Sequence, residues 1–119
     1  NLKHVSFEGK QNPVKYYKNS SLFMMTSLFE GWPMTLNESL QFGCIPIVYD
    51  TCASFHEIII QGENGYLVTD GDERMFYLTM KKLMLDPGNR KIMSQKAIES
   101  SKRFTLDKIV NQWENLLND

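Results

Sequence analysis

Two carboxylates stand eight positions apart in the run Glu30-Gly31-Trp32-Pro33-Met34-Thr35-Leu36-Asn37-Glu38. A glycine lets backbone approach a ligand closely, and the first amides of a helix starting inside this run would lack intrahelical acceptors. Such amides can donate to anionic oxygens, so a phosphate could sit there. A carboxylate accepts at two oxygens, which suits a vicinal diol: Glu38 could take a ribose and Glu30 a second sugar. Diphosphate, ribose and sugar are together the parts of a nucleotide sugar. The same residues admit another reading. Thr35-x-x-Glu38 is also a capping box, in which threonine and glutamate satisfy each other's backbone amides. Trp32 can be a packing residue, and Glu-Gly-x-Pro an acidic turn. Spacing leaves both readings open.

The elements that must position this run follow from apolar runs and turn signals. Val5-Ser6-Phe7 reads as a short strand stopped at Gly9, and Asn12-Pro13 offers a cap and a first-turn proline for a helix through about residue 19. Residues 22–26 form a continuous apolar run, as in a strand covered on both faces, and residues 35–42 follow as a helix closed by Gly43. A strand over 45–49 and a short helix near 55–60 come next, and the Asn64-Gly65 turn leads into a strand at 66–68. Beyond it the pattern is helical. Phe76, Met80, Leu83 and Met84 mark one helix ending before Pro87, and Met93, Ala97 and Phe104 carry a second. Ile109, Val110, Trp113 and Leu116 share one face of a last helix over 106–117. Alternating strands and helices predict an α/β fold: a parallel, Rossmann-like sheet of about four strands flanked by helices. Ligands of such sheets bind beyond the carboxyl ends of the strands, which singles out the loops 27–34, 50–54 and 69–72.

Bulk composition narrows the partners. The chain has 119 residues, in the range of one domain with one core. Lys plus Arg number 13 against 14 Asp plus Glu, so the chain lacks the positive excess that grips a nucleic-acid backbone. No apolar run reaches the length of a membrane span, and the first residues lack a basic-then-apolar signal pattern. Cys44 and Cys52 have neither Cys-x-x-Cys spacing nor a histidine cluster and read as reduced thiols of a cytoplasmic protein.

A longer series of motifs runs through the chain: Val5-x-Phe7-x-Gly9, Tyr16-Tyr17, the strand into Ser27, Glu30-Gly31-Trp32-Pro33-Met34 with Glu38, Gly43-x-Ile45-Pro46-Ile47-Val48, Glu57-Ile58-Ile59, Asn64-Gly65-Tyr66-Leu67-Val68, Asp72 and the helix holding Trp113. From Val5 onward this series resembles the second half of the C-terminal, donor-binding domain of family 4 retaining glycosyltransferases, which have the two-domain GT-B fold. The paired glutamates are that family's signature. The resemblance implies that residues 1–119 are a partial nucleotide-sugar-binding domain. It implies that Glu30 contacts donor-sugar hydroxyls as the catalytic-site carboxylate, that Glu38 holds the ribose, and that Gly31, Trp32, Pro33, Met34 and Thr35 cradle sugar and diphosphate. Pro33 departs from the glycine common among relatives and removes one amide donor. The family's first two strands, its diphosphate-neutralising basic residues and its acceptor domain are expected upstream of Asn1. A leaving diphosphate needs positive charge or oriented donors, so the 119 residues alone are expected to be inactive.

Other candidates have plainer explanations. Asp70-Gly71-Asp72 matches an Asp-x-Asp metal pattern, but a glycine turn with Asp72 as helix N-cap accounts for it, and no metal is expected. His4 and His56 read as solitary. Lys81, Lys82, Arg90 and Lys91 read as a solvated helix face. A phosphate-binding loop or acidic triad after an early strand, as in flavodoxin- or response-regulator-type proteins, is not found. With the resemblance, the parent strand order is 3-2-1-4-5-6, of which this chain holds the third to sixth. The strand at 22–26 then shows a bare edge, and a rearranged first strand or a dimer through that edge is expected. The expectation for function is donor binding within an enzyme that transfers a hexose from a uridine or guanosine diphosphate sugar to a glycan or lipid-linked acceptor. The nucleotide sugar enters as substrate, with no separate cofactor, in a cytoplasmic enzyme at most peripheral to the membrane. The rival is a non-catalytic α/β module in which Thr35 and Glu38 cap a helix.

Overall fold

The computed structural model describes residues 3–118. In chain order they form α1 (Val14–Asn19), β1 (Leu22–Met25), α2 (Met34–Gln41), β2 (Ile45–Asp50), α3 (Ala53–Ile58), β3 (Tyr66–Thr69), α4 (Glu73–Leu85), α5 (Pro87–Ser101), a 3-10 turn (Lys102–Phe104) and α6 (Leu106–Asn118). The sheet has the order β1-β2-β3 and is parallel throughout, with Met24 opposite Ile47 and Val48 opposite Leu67. It is the parallel α/β sheet expected, with three strands among the described residues where four were expected.

The strand expected at Val5-Ser6-Phe7 does not form. Those residues carry no regular structure, and Phe7 is 95% exposed. The cause is pairing: an extended segment gains little unless a neighbour accepts its backbone bonds, and β1 pairs only with β2. Short-range bonds hold the segment, with Ser6 Oγ donating to Glu8 and Gln11 Nε2 to the Glu8 carbonyl. The outer edge of β1 is therefore bare among the described residues, as its edge position requires.

β2 alternates its side chains between two apolar layers. Val48 joins Leu36, Leu40, Phe55, Ile58 and Ala97 on one side, and Ile45 and Ile47 join Val68, Leu83 and Met93 on the other. Both faces of the central strand are thus covered, the burial typical of a parallel sheet. Helix α2 lies across the first layer and ends where the sequence places Gly43. That residue takes φ +75°, with the Gly43 amide donating to the Leu40 carbonyl and the Cys44 amide reaching back to Ser39, a Schellman closure. A Cβ at Gly43 would stand 2.4 Å from Ser94 Oγ on α5, so the glycine also sets how closely α2 approaches α5. Asn64, expected only as a turn residue, is fully buried. Its Oδ1 accepts from the Ile60 amide and its Nδ2 donates to the Ile58 carbonyl and Ser100 Oγ, joining α3, the turn and α5.

One helical expectation changes. Phe104 lies in the 3-10 turn after α5 rather than in the helix with Met93 and Ala97. Helix α6 has the expected apolar face but buries no residue; Trp113 is 59% exposed. No helix among the described residues is long and apolar enough to cross a membrane.

Candidate functional site

Because the sheet is parallel, the segments after β1, β2 and β3 emerge at the same end. The first, between Met25 and Met34, carries the paired-carboxylate run. The second braces it: Thr51 Oγ1 donates to the Ser27 carbonyl at 2.8 Å, and the Glu30 amide donates to Cys52 Sγ at 3.0 Å. Glu30 is half-buried, Gly31 is exposed, and no partner for the Glu30 carboxylate occurs among the described residues. Leu28 and Phe29 on the same loop are exposed, so the carboxylate sits on an open surface.

Helix α2 begins at Met34 with Pro33 at the cap position and no side-chain cap bond. The fully buried Pro33 caps with its backbone, its carbonyl accepting from the Leu36 and Asn37 amides at 3.1 and 3.2 Å. Thr35 is therefore already inside the helix, and the Thr35–Glu38 capping box does not form. The amides of Met34 and Thr35, ahead of the first intrahelical bonds, have no acceptor among the described hydrogen bonds. Glu38, half-buried, points its Oε2 at the Tyr17 hydroxyl, 3.3 Å away, and the same hydroxyl lies 3.4 Å from the Thr35 carbonyl. Burial above all, then the negative charge and hydrogen bond of Glu38, pushes the Tyr17 phenol up to about 12. A proton that firmly held makes Tyr17 a permanent donor toward the carboxylate.

The remaining residues of the run divide by environment. Trp32 meets Phe104 edge-on, with ring centroids 5.2 Å apart, which ties the loop to the C-terminal helices and matches the packing reading of its ring. The Met34 and Thr35 side chains are exposed at the head of α2. The structure thus places Glu30 on the braced loop and Glu38 on the helix it leads into, with Gly31 and the open amides between them.

The other two segments behave differently. At the end of β3, Gly71 takes φ +76° and Asp72 accepts from the Met75 amide at 2.9 Å, the turn and N-cap that the sequence indicates. Burial first, then the nearby Glu73, Asp70 and Asp72, raises the Tyr49 phenol at the end of β2. His56, read as solitary, is not: its Nε2 lies 2.7 Å from Asp50 Oδ1, linking the end of β2 to α3. Arg90 of the basic cluster is committed to the Leu83 and Met84 carbonyls. A cavity of about 260 Å³ lined by Ser21, Gly43, Ile45 and Arg90 lies at the amino ends of the strands, away from the carboxylates.

Tyr17 is the contributor that sequence reasoning missed; Thr51 and Cys52 lie in the loop 50–54 that the sequence singled out, but what they brace was not readable there. Their partners lie 18 to 24 positions away, so no local spacing marks them. Tyr17 stands in the Tyr16-Tyr17 pair of the motif series, which was the one available signal.

Residues 1–100 match the family described as Glycosyl transferases group 1. Among curated proteins, an exopolysaccharide phosphotransferase of Streptomyces coelicolor is 36% identical over 110 residues, covering 92% of this chain and 12% of that protein. An amylovoran biosynthesis glycosyltransferase of Erwinia amylovora is 30% identical over 104 residues, covering 87% of this chain and 29% of that one. The chain thus spans less than a third of the length of either relative. Among solved structures, Anabaena HepE in complex with UDP superposes with a TM-score of 0.81 at 20% identity, over 87% of this chain and 29% of that one.

Proposed function

This chain belongs to the group 1 glycosyl transferases, and from that premise we propose that it is the donor-binding part of a retaining enzyme acting on a nucleoside diphosphate sugar. The observation that carries the reading is the state of Glu38: its carboxylate is free of the capping box and held by Tyr17, on the helix whose first two amides are open. A structural cap would have tied it to backbone. In this reading Glu38 accepts from the two ribose hydroxyls, and Glu30, on the loop braced by Thr51 and Cys52, accepts from hydroxyls of the transferred hexose. The amides of Gly31 and Trp32, with those of Met34 and Thr35, meet the diphosphate at the positive end of α2. Gly31 leaves room for close approach, Pro33 fixes where the helix starts, and Trp32 anchors the loop on Phe104.

Breaking the sugar–phosphate bond leaves negative charge on the diphosphate, which amides alone stabilise only in part. The cradle run offers no Lys or Arg, and the nearby Arg103 is committed to the Ile58 and Ser100 carbonyls. The cationic groups are assigned in this reading to an upstream part of a longer enzyme, and the surface that presents a glycan or lipid-linked acceptor to its acceptor domain, which is why the 119 residues alone bind without turning over. No metal or separate cofactor enters it. The setting proposed is the cytoplasm or the cytoplasmic surface of a membrane. The UDP of the Anabaena neighbour makes UDP the first ligand to try, with GDP as the alternative.

Calorimetric titration of the chain with UDP, GDP and their hexose conjugates tests the proposal. Weak but saturable binding of one nucleotide is expected, reduced at least about tenfold in Glu38→Ala by the loss of charge-assisted hydrogen bonds. The variant should keep its circular dichroism spectrum. Absence of binding in the parent chain, or unfolding of Glu38→Ala, would remove the basis for the reading.

A further inference from the structure

Glu38 does not stand alone, and what holds it is built with more care than a chance contact. The Tyr17 ring is fixed on several sides. It stacks on Phe42 with centroids 5.7 Å apart at 19°, tilts against Phe23 at 6.2 Å, and is buried. Its backbone is fixed as well, the Tyr17 carbonyl accepting from Cys44 Sγ at 3.3 Å. The hydroxyl therefore emerges at one defined point, within reach of Glu38 Oε2 and the Thr35 carbonyl. A phenol has one proton to give, and of two acceptors at similar distance the ionised one forms the stronger bond.

We infer that Tyr17 is a positioning residue for nucleotide binding: it holds the Glu38 carboxylate in the orientation in which its remaining acceptor sites meet the ribose diol. This rests on the reading of Glu38 as the ribose ligand. An ionised carboxylate offers about four lone-pair sites, and Tyr17 occupies one of them on Oε2. The rest stay open for two ribose hydroxyls. A glutamate left free would have to lose its rotamer freedom when the nucleotide arrives, whereas one already tethered loses less, which is preorganisation. At 3.3 Å the contact is longer than the usual hydroxyl-to-carboxylate bond, so the tether leaves room to tighten when the diol draws the carboxylate into line.

The test compares UDP with 2′-deoxy-UDP, or GDP with its deoxy analogue if GDP is the better ligand, in the parent chain, Glu38→Ala and Tyr17→Phe. The phenylalanine keeps the stacking ring and removes only the hydroxyl. Tyr17→Phe is expected to weaken binding of the ribonucleotide roughly two- to tenfold, as expected when one side chain must be ordered anew. Binding of the deoxynucleotide should change less, so the ratio of the two dissociation constants falls toward that of Glu38→Ala. A purely structural role would weaken both ligands in parallel and leave the ratio intact; that result, or no change in either ligand, overturns the inference. Should Tyr17→Phe fail to fold, Phe42→Leu removes the ring on which Tyr17 stacks while leaving the phenol and Glu38 in place; it must lower the same ratio, and an unchanged ratio overturns the inference. If instead the parent chain shows no preference for ribose over deoxyribose, or Glu38→Ala keeps that preference, it is the assignment of Glu38 to the ribose that has failed, and the role of Tyr17 goes with it.

Discussion

Replacing Gly43 by alanine should cost about 2 to 5 kcal/mol of stability, and the structure separates that cost into two parts. The first is conformational: Gly43 sits at φ +75°, where a Cβ crowds the following carbonyl at about 1–2 kcal/mol. The second is steric. The added methyl would stand 2.4 Å from Ser94 Oγ and 3.2 Å from Ile98 Cδ1, and forcing an extra methyl into packed surroundings costs about 1–3 kcal/mol. Ser94→Ala removes the oxygen nearest the new methyl, so this second part should be partly recovered in Gly43→Ala/Ser94→Ala, while the backbone part remains at about 1–2 kcal/mol. The assay is equilibrium urea unfolding of the parent, both single variants and the double variant, with midpoints compared at a common slope. A domain of this size is stable by only about 5–15 kcal/mol, so the loss will be plain. A cost below about 1 kcal/mol for Gly43→Ala would refute the argument, as would a double variant no better than the single one with respect to the second part.

Other perturbations probe the remaining contacts. Asn64→Ala should cost roughly 3 kcal/mol in the same urea assay, because it strands the Ile60 amide and the Ile58 carbonyl loses one of its donors. Because the Tyr17 phenol is raised from 10.0 to about 12, the unfolded state releases its proton first; this stabilising contribution is complete below pH 10 and disappears between pH 10 and about 12. Unfolding curves across that window should show Tyr17→Phe less sensitive to alkali than the parent, and equal sensitivity would count against a buried, proton-holding phenol. With a thiol reagent, Cys52 should react before Cys44, whose buried thiol is pushed up by loss of solvent; mass mapping of the first adduct onto Cys44 would contradict that order. Removing α6 after Thr105 should lower the unfolding free energy from urea titration by no more than about 1 kcal/mol, since the helix buries no residue of its own, and a larger loss would mean that its apolar face is covered in solution.

Much of the fold and part of the site were legible in the residues themselves. The helices, the three strands from residue 22 onward and the closure of α2 at Gly43 follow from periodicity, turn residues and one glycine. These are local signals, carried by neighbours within a few positions, and so are the Asp72 cap and the placing of the carboxylate run at a strand-to-helix junction. Whatever depended on a distant partner could not be read. Val5 to Phe7 has the composition of a strand, yet a strand exists only where another accepts its backbone bonds, and none lies beside β1 among the described residues. Likewise α6 shows its apolar stripe in sequence, but whether a stripe is buried depends on what else packs there. The capping box was the sharpest ambiguity: Thr35 and Glu38 have the right spacing, and the structure withholds the cap because buried Pro33 takes the N-cap position two residues before Thr35 and its carbonyl takes the first amides. Glu38 is drawn instead to a phenol 21 residues back along the chain, and hydrogen bonds between segments that far apart are settled by how the layers pack, which no local pattern encodes.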